Sequence, residues 1–528
     1  MAHVEREVKL GAWPGLALPD LTGVVPGGSV LALQPQRLTA TYHDTADLRL
    51  ARWGITVRHR RADVDGADGH EEWTVKLPGT TEGPGLVRTE HSFTGAEHRV
   101  PADARHLLGG YIRSATLVPV ARLQTARLRL EVRDADGEPL VEIDDDEVSV
   151  LVTGPGRRSR RVAARFREIE VELVTGAQTK ILEEIVRCLQ AAGAGPADPT
   201  PKVMRALGPA ALLPAEVVVP PVGPGSNAAD VVQAAIASGV VRLLAHDPGV
   251  RLGDDPEDVH QARVATRRLR SDLRTFRPLL DPDWTAAVRD ELGWIAALLG
   301  GVRDTDVLLE RLRRQAAALS PTDAKAAVSL LRRLEAQRND ARAALLEAFD
   351  SHRYIELLDG LVTAAAAPPL ALAAGGADAT TEPAPGHVPL PLQPAKDVVP
   401  ELVQRPWRHL ARAVGELGDA PEDTSLHHVR VLAKRCRYAA EAAVPVAGKD
   451  ARRLAEAVAD VQGVLGDFND AVVAEAWLRG AAARGPAVLA VAAGQLIAAN
   501  RVEAEAGRQA WARAWKKASS KRLRDWLG

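Results

Sequence analysis

Two kinds of spacing in this chain gather charged groups for chemistry. The first has period two. Glu5, Glu7 and Lys9 in VEREVKL (4–10) fall on one face if the segment is a strand, as do Glu168, Glu170 and Glu172 in FREIEVEL (166–173). Carboxylates in that arrangement offer oxygen ligands to a hard divalent cation. Cations obey the same rule: Arg58 with Arg60, Arg127 with Arg129, Lys76 in WTVKL, and Arg88 sharing a face with Glu90. Guanidinium forks and ammonium groups suit the oxygens of a polyanion. The second kind is helical. His260, Arg263, Arg267, Arg270 and Arg274 are spaced 3, 4, 3 and 4, and His427, Arg430, Lys434 and Arg437 repeat the pattern. One acidic strand or one arginine-rich helix face is ordinarily solvated surface. Several strand faces of both signs, and a stripe that occurs twice, point instead to faces that meet around an anion. Inside a closed barrel, opposite charges supply each other with the partners that burial demands.

The elements that must position these groups are legible. Residues 1–207 hold segments of alternating residue type, among them ITVRHR (55–60), EEWTVKL (71–77), ARLRLEVR (126–133) and LVEIDDDEVSV (140–150), separated by Gly, Pro and Asp turns. A helical pattern follows at 180–192, then PAALLPAEVVVPPVGPG (209–225), whose five prolines mark an interdomain linker. From 226 onward, Ala, Leu and Arg recur at helical spacing. Residues 364–400, with eight prolines, are expected to be an insert without a fixed fold. The helical half repeats internally. HQARVATRRLR (260–270) matches HHVRVLAKRCR (427–437) at an offset of 167, and LGGVRDTDVL (299–308) matches LGDFNDAVVA (465–474) at an offset of 166. In the second copy Glu441 replaces the counterpart of Arg274.

Composition narrows the classes. The 528 residues carry a formal charge of −2, and neither half has a basic excess that would favour nucleic acid: residues 1–225 hold 27 Lys and Arg against 30 Asp and Glu, and 226–528 hold 40 against 39. Two cysteines, Cys188 and Cys436, exclude a disulfide scaffold and a cysteine-rich zinc cluster. The sequence shows no run of 18 apolar residues and no secretory signal, so no membrane segment and a reducing cytoplasm are expected. Of 67 cationic side chains only 11 are lysine, a bias typical of GC-rich genomes.

The ordered series of Glu5-x-Glu7-x-Lys9, the arginine and lysine strands and EIEVEL resembles the CYTH superfamily of triphosphate tunnel metalloenzymes over about residues 1–208. That resemblance implies an eight-stranded antiparallel β-barrel tunnel that takes triphosphate substrates with Mg²⁺ or Mn²⁺. It implies Glu5, Glu7, Glu168 and Glu170 as metal ligands, with Glu172 an alternative in the same register. An acidic residue from the preceding strand joins them. Asp144, Asp145 and Asp146 are adjacent, and parity favours Asp144 or Asp146 if Glu142 faces inward. Lys9, Arg58, Arg60, Lys76, Arg88, Arg127 and Lys202 become phosphate contacts. Glu168 or Glu170 is expected to orient the attacking water, with Lys9 beside them. No Walker-type Gly-rich loop is present, and His43, His59 and His91 read as surface or structural residues.

HQARVATRRLR, LGGVRDTDVL and HHVRVLAKRCRY together resemble the CHAD domain over roughly residues 226–528. This implies an all-α double four-helix bundle that binds inorganic polyphosphate through His260, Arg263, Arg267, Arg270, Arg274, His427, Arg430, Lys434 and Arg437. Asp304, Asp306 and Asp470 are expected to orient those cations, or to serve as helix N-caps after glycine. Trp511, Trp515 and Trp526 are expected to pack a final basic helix onto the bundle. The expected fold is therefore α+β multidomain: tunnel 1–208, linker 209–225, helical domain 226–528. The expected function is a metal-dependent triphosphatase or polyphosphatase with a tethered polyphosphate-binding domain, in the cytoplasm or on polyphosphate granules. Its alternative is a non-enzymatic polyphosphate-binding protein, and a cyclase activity is open within the same superfamily.

Overall fold

A computed structural model describes residues 2–63, 70–82, 85–153, 160–174, 176–371, 388–483 and 486–527, and divides the chain into two compact units after Glu216. The first holds strands β1 (Ala2–Ala12), β2 (Ser29–Asp44), β3 (Thr56–Asp63), β4 (His70–Lys76), β5 (Thr80–Glu82), β6 (Gly85–Phe93), β7 (Val118–Arg133), β8 (Pro139–Thr153) and β9 (Arg160–Leu173). They are antiparallel, in the order β1-β9-β8-β7-β2-β3-β4-β6, and β6 pairs again with β1. Eight strands thus close a ring, with β5 paired to β6. The alternation of the strands decides what each side of the wall carries. Val8, Leu10, Val141, Ile143, Ile169 and Val171 face outward and pack under Leu182, Ile185, Val186 and Leu189 of helix α4. The helices of this unit are α1 (Arg49–Arg52), α2 (Ala102–Leu107), α3 (Gly109–Ile112), α4 (Thr179–Ala191) and α5 (Lys202–Leu207).

The other parity faces the interior. One stretch of it is apolar, where Ala40, Tyr42, Leu123, Val148 and Val150 pack with Val203 of α5. Beyond that plug the charges are set by register. Glu7 lies opposite Glu172, Lys9 opposite Glu170, Asp144 opposite Glu170 and Asp146 opposite Glu168. Arg127 and Arg129 lie opposite Asp146 and Asp144. A slip of one residue would exchange the apolar and charged sets, so the register is fixed by burial itself. The first part of the expected linker folds back on this unit. Ala211 is buried, and Glu216 accepts both guanidinium arms of Arg113 at 2.7 and 2.6 Å.

The second unit contains α6 (Ala228–Leu252), α7 (Pro256–Thr275), α8 (Pro282–Ala316), α9 (Pro321–Phe349), α10 (His352–Ala366), α11 (Ala395–Gly415), α12 (Asp423–Ala482) and α13 (Ala487–Ala518). The sequence repeat is a repeat of helices. α6 and α11 begin 167 residues apart, α7 and α12 also 167, and α9 and α13 166. Gly448, at φ 59°, breaks α12 at the position equivalent to Asp281, the N-cap of α8, so its two arms correspond to α7 and α8. The joint between the halves keeps the symmetry: Ala228 N–H donates to the Gln393 carbonyl at 3.0 Å, and Ala395 N–H donates to the Ser226 carbonyl at 2.9 Å. α10 has no counterpart among the described residues.

Two expectations change. The range 364–400 is not uniformly unfolded: α10 runs to Ala366, and α11 starts at Ala395 with Pro400 and Pro406 inside it; residues 372–387 lie outside the described part. In addition, α6 and α13 are long and apolar enough, with mean hydropathy 1.5 and 1.2, to cross a membrane by length and composition alone. Polar residues such as Gln233 and Arg242 in α6, and Gln495 and Arg501 in α13, interrupt the apolar run. Half of the apolar stretch of α6 is buried within the unit, where a core helix of a bundle would also place it.

A buried network ties α6 to α9 and α10. Asp247 accepts from Arg251 Nε at 2.6 Å and from the Tyr354 hydroxyl at 2.9 Å, while Arg251 reaches Asp350 at 2.8 Å and the Phe349 carbonyl at 3.0 Å. Asp247→Ala takes from the buried guanidinium its fully buried carboxylate, while Asp350 and the Phe349 carbonyl remain, and is expected to cost about 3 kcal/mol of stability. Urea unfolding of the intact chain measures it; a midpoint equal to wild type would show that the network is dispensable.

Candidate active site and basic helix seam

The interior of the ring is a lattice of paired charges. Lys76 Nζ lies 2.5 Å from Glu5 and 2.9 Å from Glu90, and Arg58 is 4.0 Å from Glu90. Arg88 donates to Glu7 at 2.7 Å. Lys9 is 2.6 Å from Glu170 and 3.4 Å from Glu7. Arg127 forks onto Asp146 at 2.8 and 2.7 Å, reaches Glu170 at 3.1 Å and also pairs with Asp144. Lys202, the first residue of α5, is held by Asp146, Glu168 and Glu170 at 2.9, 2.8 and 2.8 Å. Arg60 pairs with Glu72 near the rim.

These contacts set the protonation states. Burial alone would push the Glu7 carboxyl up, but Lys9, Lys76 and Arg88 hold it at about 2. Glu170, equally buried, is kept well below the ordinary carboxylate range by Lys202, Lys9 and Arg127. Asp144 goes the other way: burial, with Asp146 and Glu170 adding to it, outweighs Arg127 and raises it to about 6. Glu172 rises to about 8 through burial and the nearby charges of Glu5, Glu7 and Glu142.

Glu172 marks an unusual row. Glu7, Glu172, Glu142 and Glu131 occupy directly opposed positions on four adjacent strands, β1, β9, β8 and β7. Like charges in register oppose strand pairing. Arg88, Arg129 and Arg133 neutralise part of the row, with Arg129 reaching Glu142 at 2.7 Å. Oxygen donors crowded in this way suit a hard divalent cation, whose charge would relieve their repulsion. Among the described residues no three His, Cys, Asp or Glu groups are gathered closely enough to hold an ion. In this structure the carboxylates are turned toward Lys and Arg.

The expected ligand set therefore divides. Glu5, Glu7 and Glu172 lie with Glu142. Asp146 and Glu168 are fully buried around Lys202, and Arg205 approaches Glu168 at 3.5 Å. Glu168, expected to orient a water, instead anchors Lys202. Of the three adjacent aspartates, Asp144 and Asp146 face inward, whereas Asp145 faces the other way into the fork of Arg167 at 2.8 and 2.7 Å. Glu90, Arg129, Glu142 and Arg205 were within reach of parity and helix spacing; Glu131 needed the pairing register. His43, His59 and His91 are buried rather than superficial, the first two against Trp73 at 4.9 and 5.2 Å between ring centroids.

In the second unit the stripes of α7 and α12 meet. Arg263 is 3.0 Å from Asp304, and its counterpart Arg430 is 3.8 Å from Asp470. Each guanidinium rests beside an equivalent glycine, Gly300 or Gly466. Both aspartates lie inside helices, so they orient cations rather than cap. Lys434 is driven down to about 7 by burial and by the charges of Arg430, Arg267 and Arg263, which places the four cations together. The Nε atoms of Arg267 and Arg430 are buried without a hydrogen-bond partner. His260 is pushed below its usual value by burial and Arg303, and His427 Nδ1 lies 2.6 Å from Asn469 Oδ1. Arg270 and Arg274 sit with Arg289 and Arg435, two residues that the stripe spacing missed, whereas Arg437 is tied to Glu441 at 2.9 Å. Trp407 and Trp515 stack at 5.4 Å, and Trp511 is buried, as expected for the last long helix.

Comparison with known proteins matches residues 5–201 to the CYTH domain and residues 234–479 to the CHAD domain. Two Mycobacterium tuberculosis proteins, one from each of two strains and both described as uncharacterized, are 32% identical over 487 residues, 90% of this chain and 88% of theirs. Among solved structures, PptA from Streptomyces chartreusis is 27% identical, covering 55% of this chain and all of its own, with a TM-score of 0.43. The CHAD domain from the plant Ricinus communis is 24% identical, covering 59% and 95%, with a TM-score of 0.40.

Lys202 is the cation shared by Asp146 and Glu168, both fully buried, and by Glu170. Lys202→Met should destabilise the first unit by roughly 3–5 kcal/mol, because it leaves Asp146, Glu168 and Glu170 short of a partner. Arg205→Met, which removes the longer contact to Glu168 and the more exposed pair with Asp198, should cost less. Thermal unfolding of the two variants checks the order; a Lys202→Met protein as stable as wild type contradicts it.

Proposed function

Because this chain belongs to the proteins that join a CYTH domain to a CHAD domain, we propose that it hydrolyses inorganic triphosphate or the ends of polyphosphate, and holds longer polyphosphate on its helical unit. CYTH domains form the triphosphate tunnel family, are typically triphosphatases or cyclases, and are generally dependent on a divalent metal. The observation that carries the reading is the closed interior in which Lys9, Arg58, Lys76, Arg88, Arg127 and Lys202 face carboxylates at ion-pairing distance.

Glu5, Glu7 and Glu172, with Glu142 beside them, would hold Mg²⁺ or Mn²⁺, which neutralises phosphate charge and lowers the pKa of an attacking water. The remaining work falls to the chain. Phosphate oxygens take the place of Glu90 and Glu5 as partners of Arg58 and Lys76, and Arg127 grips a second phosphate with its fork. Arg60 and Arg129 extend the cationic wall. Glu170 stays ionised and fixes Lys9, Lys202 and Arg127, so the cations are aimed before substrate arrives and need no reorganisation during reaction. The apolar plug around Val148 and Val203 keeps water from that part of the interior. In the second unit, Arg263, Arg267, Arg430 and Lys434 supply adjoining contacts for a chain bearing roughly one charge per phosphate. A single polypeptide carrying both sites raises the local concentration of chain ends.

Phosphate release from tripolyphosphate, long-chain polyphosphate and ATP, each with Mg²⁺, Mn²⁺ or chelator, tests the reading. Wild type should release phosphate only with metal, and Glu7→Gln should lower the rate at least about a hundredfold while keeping the fold, since it removes one charged oxygen ligand. No release from any substrate with either metal would leave the non-enzymatic reading instead.

Lys434 adds a pH signature to polyphosphate binding. Its amine is half protonated near pH 7 in the free protein, and a bound polyanion favours the charged form. Binding should therefore take up a proton above pH 7, and affinity should fall as pH rises from about 7 toward 9. Lys434→Arg, charged throughout, should flatten that fall. A wild-type affinity independent of pH in this window contradicts the assignment.

A further inference from the structure

Apart from α10, the two halves of the helical unit repeat the same helices, but they differ in charge at one pair of equivalent places. In the first, Arg270 and Arg274 on α7 approach Arg289 on α8 and Arg435 on α12. The Arg270 guanidinium lies 3.4 Å from where a Cβ on Gly293 would stand, one turn beyond Arg289 on α8. The Nε atoms of Arg270 and Arg289 are buried without a partner, and none of the four arginines forms an ion pair with a carboxylate among the described residues. Burial, with the charges of Arg435, Arg289 and Arg270 adding to it, pulls Arg274 down to about 10.

The offset of 167 takes Arg270, Arg274, Arg289 and Arg435 to Arg437, Glu441, Glu456 and Arg268. These counterparts also lie together, lining a cavity of about 470 Å³. There Glu441 is 2.9 Å from Arg437 and 3.2 Å from Arg268, so both arginines are already engaged. Glu456 and Arg452 stand exposed on the same wall, and Arg242 half-buried.

We propose that Arg270, Arg274, Arg289 and Arg435 form a discrete phosphate subsite for an inorganic polyphosphate chain, and that the equivalent place, where Glu441 already holds Arg268 and Arg437, gives the chain no such subsite. The inference rests on the polyphosphate reading of the seam and adds an asymmetry to it. A chain held by Arg263, Arg267, Arg430 and Lys434 continues on one side only, so a nearly symmetric bundle binds its ligand in an asymmetric way. Arg289 and Arg435 join the contacts, and Arg437 leaves them.

The test is the affinity of the intact protein for long-chain inorganic polyphosphate as a function of salt. Each phosphate contact releases counterions, so the salt slope reports the number of contacts, although its coefficient was derived for nucleic acids. Arg274→Gln with Arg289→Gln should weaken binding about tenfold or more at moderate salt and reduce the slope by about one to two units. Arg437→Gln should leave both unchanged, as should the control pair Arg314→Gln with Arg332→Gln, which are exposed and outside both places. Glu441→Arg with Glu456→Arg, which rebuilds the missing half, should steepen the slope by about one to two units. If wild type binds but the Arg274 and Arg289 pair keeps its affinity and slope, the subsite is wrong while the seam stands. If Arg437→Gln weakens binding as much as that pair does, the asymmetry is wrong. Wild-type protein that does not bind polyphosphate overturns both readings.

Discussion

Glu170 lies among Lys9, Lys202 and Arg127, and the interior of the barrel is organised around that contact. A closed antiparallel ring sends every second side chain inward, and a charge placed there has lost most of its water. It persists only beside an opposite charge with hydrogen-bonding geometry. The register satisfies this demand by placing Lys9 opposite Glu170, and Arg127 opposite Asp146, from where Arg127 also reaches Glu170 and Asp144. Helix α5 completes it by delivering Lys202 as its first residue. The same arrangement that makes burial tolerable also presents a wall of fixed cations, and an anion of several charges can exchange places with the carboxylates that hold them.

The row of Glu7, Glu172, Glu142 and Glu131 is the place where like charges meet in register. Burial, with the charges of Glu5, Glu7 and Glu142 adding to it, raises the Glu172 carboxyl to about 8. A fold selected for stability alone would not place them there. The helical unit shows the same physics from the opposite sign. Burial and the repulsion of neighbouring cations depress Arg263, Arg430 and Lys434, and two aspartates hold only Arg263 and Arg430 in place. Carboxylates crowded in one unit and cations crowded in the other fit metal and polyphosphate respectively.

Much of this was legible in the sequence because both patterns are short-range. Strand parity placed Glu5, Glu7, Lys9, Arg127 and Glu170 on interior faces, and helical spacing with the 167-residue repeat placed Arg263 with Arg267 and Arg430 with Lys434. Parity also favoured Asp144 and Asp146 over Asp145, and the β7–β8–β9 register agrees. What the sequence left out depended mostly on pairing across strands and helices: Glu131 joined the acidic row only through that register. Arg289 lies on another helix, and Arg435 lies one residue off its own stripe. Arg437 fitted the stripe, yet Glu441 four residues later captures it, a contact that helix spacing allowed. Asp304 and Asp470 follow glycines, as N-caps often do, but the helices continue through those glycines.

The central claim is that the inward-facing carboxylates of the barrel are a divalent-cation site and not only partners for arginine and lysine. Binding of Mn²⁺ to the intact protein, followed by loss of the free-ion electron paramagnetic resonance signal near neutral pH, tests it without relying on turnover. Wild type should sequester the ion, and Glu172→Gln should weaken that binding about tenfold or more, with Asp145→Asn, on the outer face, leaving it unchanged. Equal binding by wild type and Glu172→Gln, or none by either, would contradict the account.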